Sequence, residues 1–156
     1  MSNLQARRVN VRGIIIKDSA ILAQKFIKSD GSATDYWGTP GGGLDIGESL
    51  YAGLKREMIE ETGITPRIGK LLFIQQFVRE RRDGTCDEGM ELFFHIENSD
   101  DYTAINLEET THGTLEVAEI AFIDPKSENI KPDFLKTIDI AQYIAADYPV
   151  YISDDL

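Results

Sequence analysis

Apolar residues recur along this chain with two different periods, and the switches between them mark out its elements. Val9–Lys17 (VNVRGIIIK) is rich in β-branched residues and reads as a strand, buried towards its end. Asp18-Ser19 is a turn signal, and Ala20–Ile27 (AILAQKFI) reads as the hairpin partner. Ser29–Asp35 is a polar loop, Tyr36–Thr39 a short strand, and Pro40-Gly41-Gly42-Gly43 a break. The period then lengthens: Leu50, Leu54 and Met58 are spaced for one helical stripe. The helix runs from about Ser49 to Thr62, with Ser49 as N-cap and Gly63 just past its end. Lys70–Glu80 and Met90–Glu97 return to strand patterning around the polar loop Arg81–Gly89, and Leu115–Ile123 is a further strand. Pro132–Ala146 starts on proline and carries apolar residues at helical spacing, so it reads as a second helix.

Strands, helix, strands, helix, with hairpin-length connections, imply a mixed α/β (α+β) sandwich rather than a doubly wound parallel sheet. At 156 residues with no dividing linker, the expectation is one domain over residues 1–156. The apolar runs are far too short to span a bilayer, and the opening MSNLQARRVN lacks the apolar stretch of a signal peptide. A single cysteine, Cys86, leaves no internal disulfide to form, so a reducing cytoplasm is the expected compartment. The formal net charge of −11 disfavours a nucleic-acid polymer as partner, because such affinity comes from Lys and Arg on phosphates. A small anionic substrate stays open, provided a metal or a local basic patch receives it.

The stretch Arg56-Glu57-Met58-Ile59-Glu60-Glu61-Thr62-Gly63 crowds like charges on one helix. At 100° per residue and with Glu57 at zero, Glu60 falls at about −60° and Glu61 at about +40°. Leu50, Leu54 and Met58 fall at about +20°, +60° and +100°, so the carboxylates sit at the shoulder of the apolar stripe rather than opposite it. A solvated acidic face would lie on the far side. Partly buried carboxylates this close must protonate, find cations or bind a metal. Arg56 alone cannot serve all of them, and oxygen-only ligands suit Mg²⁺ or Mn²⁺.

The loop Pro40–Glu48 places glycine backbone directly before this helix, where N–H and C=O groups can approach a phosphate or a metal. Gly42, five residues, Glu48, seven residues, then Arg56-Glu57-Met58-Ile59-Glu60-Glu61-Thr62-Gly63-Ile64 resembles the Nudix box of MutT-like hydrolases, G-x5-E-x7-R-E-U-x-E-E-x-G-U with U apolar. Every specified position of its 23 residues is filled, and Trp37–Gly42 resembles the usual approach to the box.

The resemblance implies a Nudix-type α/β/α sandwich with a mixed β-sheet, and an enzyme that cleaves the pyrophosphate of a nucleoside diphosphate derivative. Water would attack phosphorus with Mg²⁺ or Mn²⁺ as cofactor. By position, Glu57 and Glu61 would be the principal metal ligands. Glu60 would be a ligand or hold metal-bound water, and the Gly41 carbonyl would be a further ligand. Arg56 would orient Glu57, and Glu48 would support the cluster. The catalytic base would be a box glutamate or a later acid. Of Glu116 and Glu119, both at the start of EVAEIAF, Glu119 aligns better with a glutamate often found there. Backbone of Gly42 and Gly43 would meet substrate, and Lys25 resembles a position where the family often carries a basic residue facing phosphate. The implied partner is a small nucleotide, with neither membrane nor nucleic-acid polymer. Members are often homodimers, which this sequence neither supports nor opposes.

Arg79-Glu80-Arg81-Arg82 is the one dense basic stretch. It reads as a solvated hairpin end, with Arg81 the side chain to consider against a substrate phosphate. Trp37 reads as packing, His95 and His112 as structural, and Cys86 lacks a neighbouring histidine that would make it a nucleophile. The substrate stays open among ADP-ribose, other nucleotide sugars, nucleoside triphosphates and dinucleoside polyphosphates. The alternative to a hydrolase is a non-catalytic nucleotide sensor, which would be expected to have lost box carboxylates.

Overall fold

The computed structural model describes residues 4–154; the ends of the 1–156 unit expected from the sequence lie outside the described residues. The predicted first strand divides at Ile15 into β1 (Leu4–Ile14) and β2 (Ile16–Lys17). The division has a topological cause, because the two halves belong to different sheets. β1 lies in a five-stranded sheet, while β2 joins a three-stranded one. Asp18 and Ser19 turn the chain with φ of 50° and 67°, as a two-residue hairpin requires, and lead into β3 (Ala20–Phe26).

Tyr36–Thr39 forms no strand of its own. It crosses between β3 and residues 129–131 and makes only single bridges, Gln24 to Gly38 and Trp37 to Ile130. The paired segment is instead β4 (Gly41–Gly43), which lies antiparallel against Asn10–Arg12 of β1. Next come α1 (Leu50–Thr62), β5 (Ile68–Glu80) and β6 (Cys86–Ile96). The predicted polar loop between the last two is shorter than expected, because Cys86 already pairs with Glu80. A short helix, α2 (Gly113–Glu116), precedes β7 (Val117–Ile123).

The predicted helix over Pro132–Ala146 is broken into a 3₁₀ turn, Asp133–Lys136, and α3 (Ile140–Ala145). Asp139 is the reason: its carboxylate accepts from the Ala141 N–H and starts a new helix where the pattern alone would continue the old one. The tail forms β8 (Val150–Asp154), which extends the larger sheet.

The larger sheet runs β4-β1-β6-β5-β8 and is mixed: β1 lies parallel to β6, β5 antiparallel to β6, and β8 parallel to β5. The smaller sheet runs β2-β3-β7 and is antiparallel. Side chains alternate between two cores, as the two-residue period demands, except at the irregularity in β5 where Leu72 and Phe73 enter the same one. Ile14, Ile21, Ala23, Phe73 and Phe93 pack with Leu135 and Ile140 on the α3 side. Val11, Ile15, Leu22, Leu92 and Phe94 pack with Leu54 and Met58 on the α1 side. Burial on both faces explains the unbroken apolar runs in the strands. Among the described residues no helix is long and apolar enough to cross a membrane.

Phe73 anchors the α3-side core, with its ring against Phe93, Phe134 and Tyr143 at centroid distances of 6.2, 5.2 and 5.1 Å. Its truncation, Phe73→Ala, is expected to cost about 3–5 kcal/mol of unfolding free energy, read as a lowered urea midpoint at unchanged slope.

Candidate active site

Helix α1 is closed at both ends as its sequence predicts. Ser49 Oγ accepts from the Ala52 N–H at 3.2 Å, and Gly63, at φ 75°, donates its N–H to the Ile59 carbonyl. The capped helix aims Arg56, Glu57 and Glu61 at the glycine segment.

Arg56 is the tie between the two. Its Nε and Nη2 grip Glu48 at 2.9 Å each, Nη1 donates to Glu57 at 2.7 Å and to Glu60 at 3.4 Å, and Nη2 also meets the Gly43 carbonyl at 3.1 Å. This forked bonding pulls the Glu48 carboxyl down to about 2. Glu57 goes the other way: burial raises its pKa, against the opposing pull of Arg56. Glu61, 2% exposed, is raised to about 7 by burial, although the Gly41 N–H donates to it at 2.9 Å and the nearby Gln24 and Arg12 favour its charge. The Gln24 amide itself is fully buried and makes no hydrogen bond of good geometry.

A Cβ on Gly42 would lie 2.4 Å from a Glu57 oxygen and displace that carboxylate from its present position. The loop therefore closes directly on the carboxylate.

The third carboxylate of the cluster comes from outside the box. Oxygens of Glu57, Glu61 and Glu116 all lie within 4.8 Å of one another. Glu116 ends α2, which is held against α1 by the His112 N–H on the Glu60 carbonyl at 3.0 Å. At Gly113 a Cβ would sit 3.0 Å from the Glu61 carbonyl, so that glycine lets the segment approach. Glu119 lies three residues on in β7, 57% exposed, with its carboxylate 4.0 Å from Lys25 Nζ. Glu60 faces Arg56 and His112, whose Nδ1 is 3.4 Å away, and is not one of the three convergent carboxylates.

The remaining sequence candidates are placed as follows. The Gly41 carbonyl accepts from Arg12 Nη1 at 2.8 Å, and the Gly43 carbonyl from Arg56. Lys25 stands over the Trp37 ring at 4.9 Å. Arg81 is exposed and bonded to Asp87 at 2.7 Å.

The sequence reading did not single out two flanking cavities. One, of about 710 Å³, has Phe26, Phe77 and Tyr36 among its walls together with Asn10, Arg12 and Glu91. It borders Thr39, next to the glycine loop. The other, of about 460 Å³, opens beside Glu57, Gly43 and Arg7.

Three close carboxylates, two of them held above the normal range by burial, have too little compensation among neighbouring groups to be all charged without a cation. All three offer hard oxygen donors, the chemistry that suits Mg²⁺ or Mn²⁺.

The family model of the NUDIX domain matches residues 6–138. The chain belongs to the NUDIX family. Solved structures agree with it in fold. The Escherichia coli ORF135 protein is 20% identical, with 94% of this chain and 97% of that one covered at a TM-score of 0.64. A UDP-X diphosphatase is also 20% identical, with 95% and 67% covered at a TM-score of 0.60. An ADP-ribose pyrophosphatase from Streptococcus suis 89-1591 is 15% identical, with 94% and 98% covered at a TM-score of 0.51. No curated protein matches this sequence. The mixed α/β sandwich is thus a NUDIX fold, and the box read from the sequence is the loop and helix that carry two of the three clustered carboxylates.

The raised Glu61 carboxyl has a measurable consequence in chelator-treated NUDIX protein. Its folded value of about 7 lies above the ordinary 4.5, so between those pH values the unfolded chain releases its proton first and the fold loses stability as pH rises. Glu61→Gln removes this dependence. The two proteins are expected to match in stability near pH 4 and to diverge, with wild type the weaker by roughly 3 kcal/mol, by pH 8. Urea unfolding in EDTA across that range checks it.

Proposed function

We propose that this NUDIX protein hydrolyses the pyrophosphate linkage of a nucleoside diphosphate derivative, with ADP-ribose or another nucleotide sugar and nucleoside triphosphates as the substrate classes. The observation that carries the reading is the convergence of Glu57, Glu61 and Glu116 behind a loop with no room for a side chain at Gly42. Structural neighbours named as a UDP-X diphosphatase and an ADP-ribose pyrophosphatase support the same class of bond.

In this reading Glu57, Glu61 and Glu116 would hold Mg²⁺ or Mn²⁺, which would neutralise charge on the phosphate oxygens and activate water. Arg56 fixes Glu57 and Glu48 in one arrangement, so that their orientation is set before substrate arrives. Glu60, steadied by Arg56 and His112, orients water at the edge of the cluster. Water oxygen attacks phosphorus, the bridging P–O bond breaks, and the proton of the water passes to a carboxylate. We assign that role to Glu116, the exposed member of the three, over Glu119, whose carboxylate lies 4.0 Å from Lys25 Nζ. The products are a nucleoside monophosphate and the phosphate of the other moiety, which is pyrophosphate when the substrate is a triphosphate.

The test is Mg²⁺-dependent release of nucleoside monophosphate from a panel of ADP-ribose, UDP-sugars, nucleoside triphosphates and diadenosine polyphosphates, with Glu61→Gln alongside. Turnover of one class, lowered roughly a hundred-fold or more in the variant, is expected, since even the loss of outer partners of a metal site costs 10–100-fold. Nucleotide binding without turnover of any class would replace the hydrolase with a sensor.

A further inference from the structure

The chain carries 27 acidic residues against 16 Lys and Arg, so a basic side chain without an acidic partner marks a place where an anion can be received. Around the two cavities most cations are already spent. Arg12 faces Glu91 at 3.3 Å, Arg79 faces Asp87 at 3.6 Å, Lys131 faces Asp133 at 2.8 Å, and Arg7 faces Glu88 at 2.9 Å. Arg8 differs. Among the described residues it has no acidic group within ion-pair distance, and it lines both cavities.

Its setting is built rather than loose. Arg8 Nε donates to Asn10 Oδ1 at 3.2 Å, and Asn10, 8% exposed, donates in turn to Glu91 at 3.1 Å. One edge of the guanidinium is thereby held, and its two terminal nitrogens are left for a ligand. On one side of Arg8 lies the aromatic cavity; on the other lies the cavity that contains Glu57.

We propose that Arg8 is a substrate-binding residue: its terminal nitrogens receive non-bridging phosphate oxygens of a nucleotide whose nucleoside fills the aromatic cavity and whose phosphates run past Arg8 to Glu57. The proposal rests on the hydrolase reading above and adds to it the direction in which the substrate lies. A guanidinium matches two phosphate oxygens in one plane, and a lysine ammonium does so only as a point charge. Arg8→Gln should therefore raise KM and leave the chemical step intact, and Arg8→Lys should recover part of the loss. Because Arg8 is exposed, the effect should shrink with added salt.

The experiment is steady-state kinetics of wild type, Arg8→Gln and Arg8→Lys on the substrate that wild type turns over, with Mn²⁺ affinity measured for each. Expected for Arg8→Gln are a KM raised roughly ten- to a hundred-fold, kcat within about two-fold, and unchanged Mn²⁺ affinity. An unchanged KM would make Arg8 a solvated surface residue and overturn the proposal. A raised KM together with weakened Mn²⁺ binding would also overturn it, leaving Arg8 a structural support of the sheet through Asn10. If wild type turns over nothing in the panel, the hydrolase reading fails separately. ADP binding by calorimetry then decides Arg8: a ten-fold or greater loss in Arg8→Gln upholds the proposal, and equal affinity overturns it.

Discussion

The arrangement depends on one guanidinium. Arg56 meets a carboxylate from the loop, two from its own helix and a loop carbonyl, so the glycine segment and α1 are fixed to each other through a single planar group. Lysine could not substitute for it, because no ammonium presents donors in one plane to four acceptors. The same group resolves an electrostatic conflict. It holds Glu48 fully ionised and pulls Glu57 towards ionisation while burial pushes it the other way. Glu61 receives much less relief, only a backbone N–H and the fields of Gln24 and Arg12, and its pKa rises accordingly.

Much of this was written locally in the sequence. Ser49 and Gly63 bound α1 because capping chemistry acts over three or four residues and leaves a local trace. The box was legible for the same reason: Glu48, Arg56, Glu57 and Glu61 stand at spacings fixed by one loop and one helix. The strands were legible from their apolar period, but their partners were not. Nothing in VNVRGIIIK announces that the chain changes sheets at Ile15.

What the sequence hid was long-range. Glu116 and Glu119 differ by three positions, and either could have joined the cluster on pattern alone. The short helix α2, laid on α1 by His112 and Gly113, swings Glu116 inward, while the β7 register sets Glu119 opposite Lys25. The faint signal was His112-Gly113 just ahead of the strand, a glycine where a helix would otherwise be favoured to start. The split of the second helix was hidden by Asp139, whose capping role competes with an apolar pattern that runs straight through it. Arg8 was hidden by ordinariness, as one more polar residue ahead of the strand read from Val9, although β1 already begins at Leu4.

From the rim of the aromatic cavity to the carboxylates runs an unbroken series of hydrogen bonds: Arg8 to Asn10, Asn10 to Glu91, Arg12 to the same Glu91 oxygen, Arg12 to the Gly41 carbonyl, and the Gly41 N–H to Glu61. Polar residues that line a cavity and the buried carboxylate of the cluster are therefore one connected object. Substitutions among them couple rather than add. A change at Asn10, Arg12 or Glu91 is therefore transmitted towards Glu61 through this series. The cavity walls Phe77 and Tyr36 stand outside the series, so in the proposed reading ligand preference can change along the aromatic side while the polar side, tied to Glu61, stays constrained.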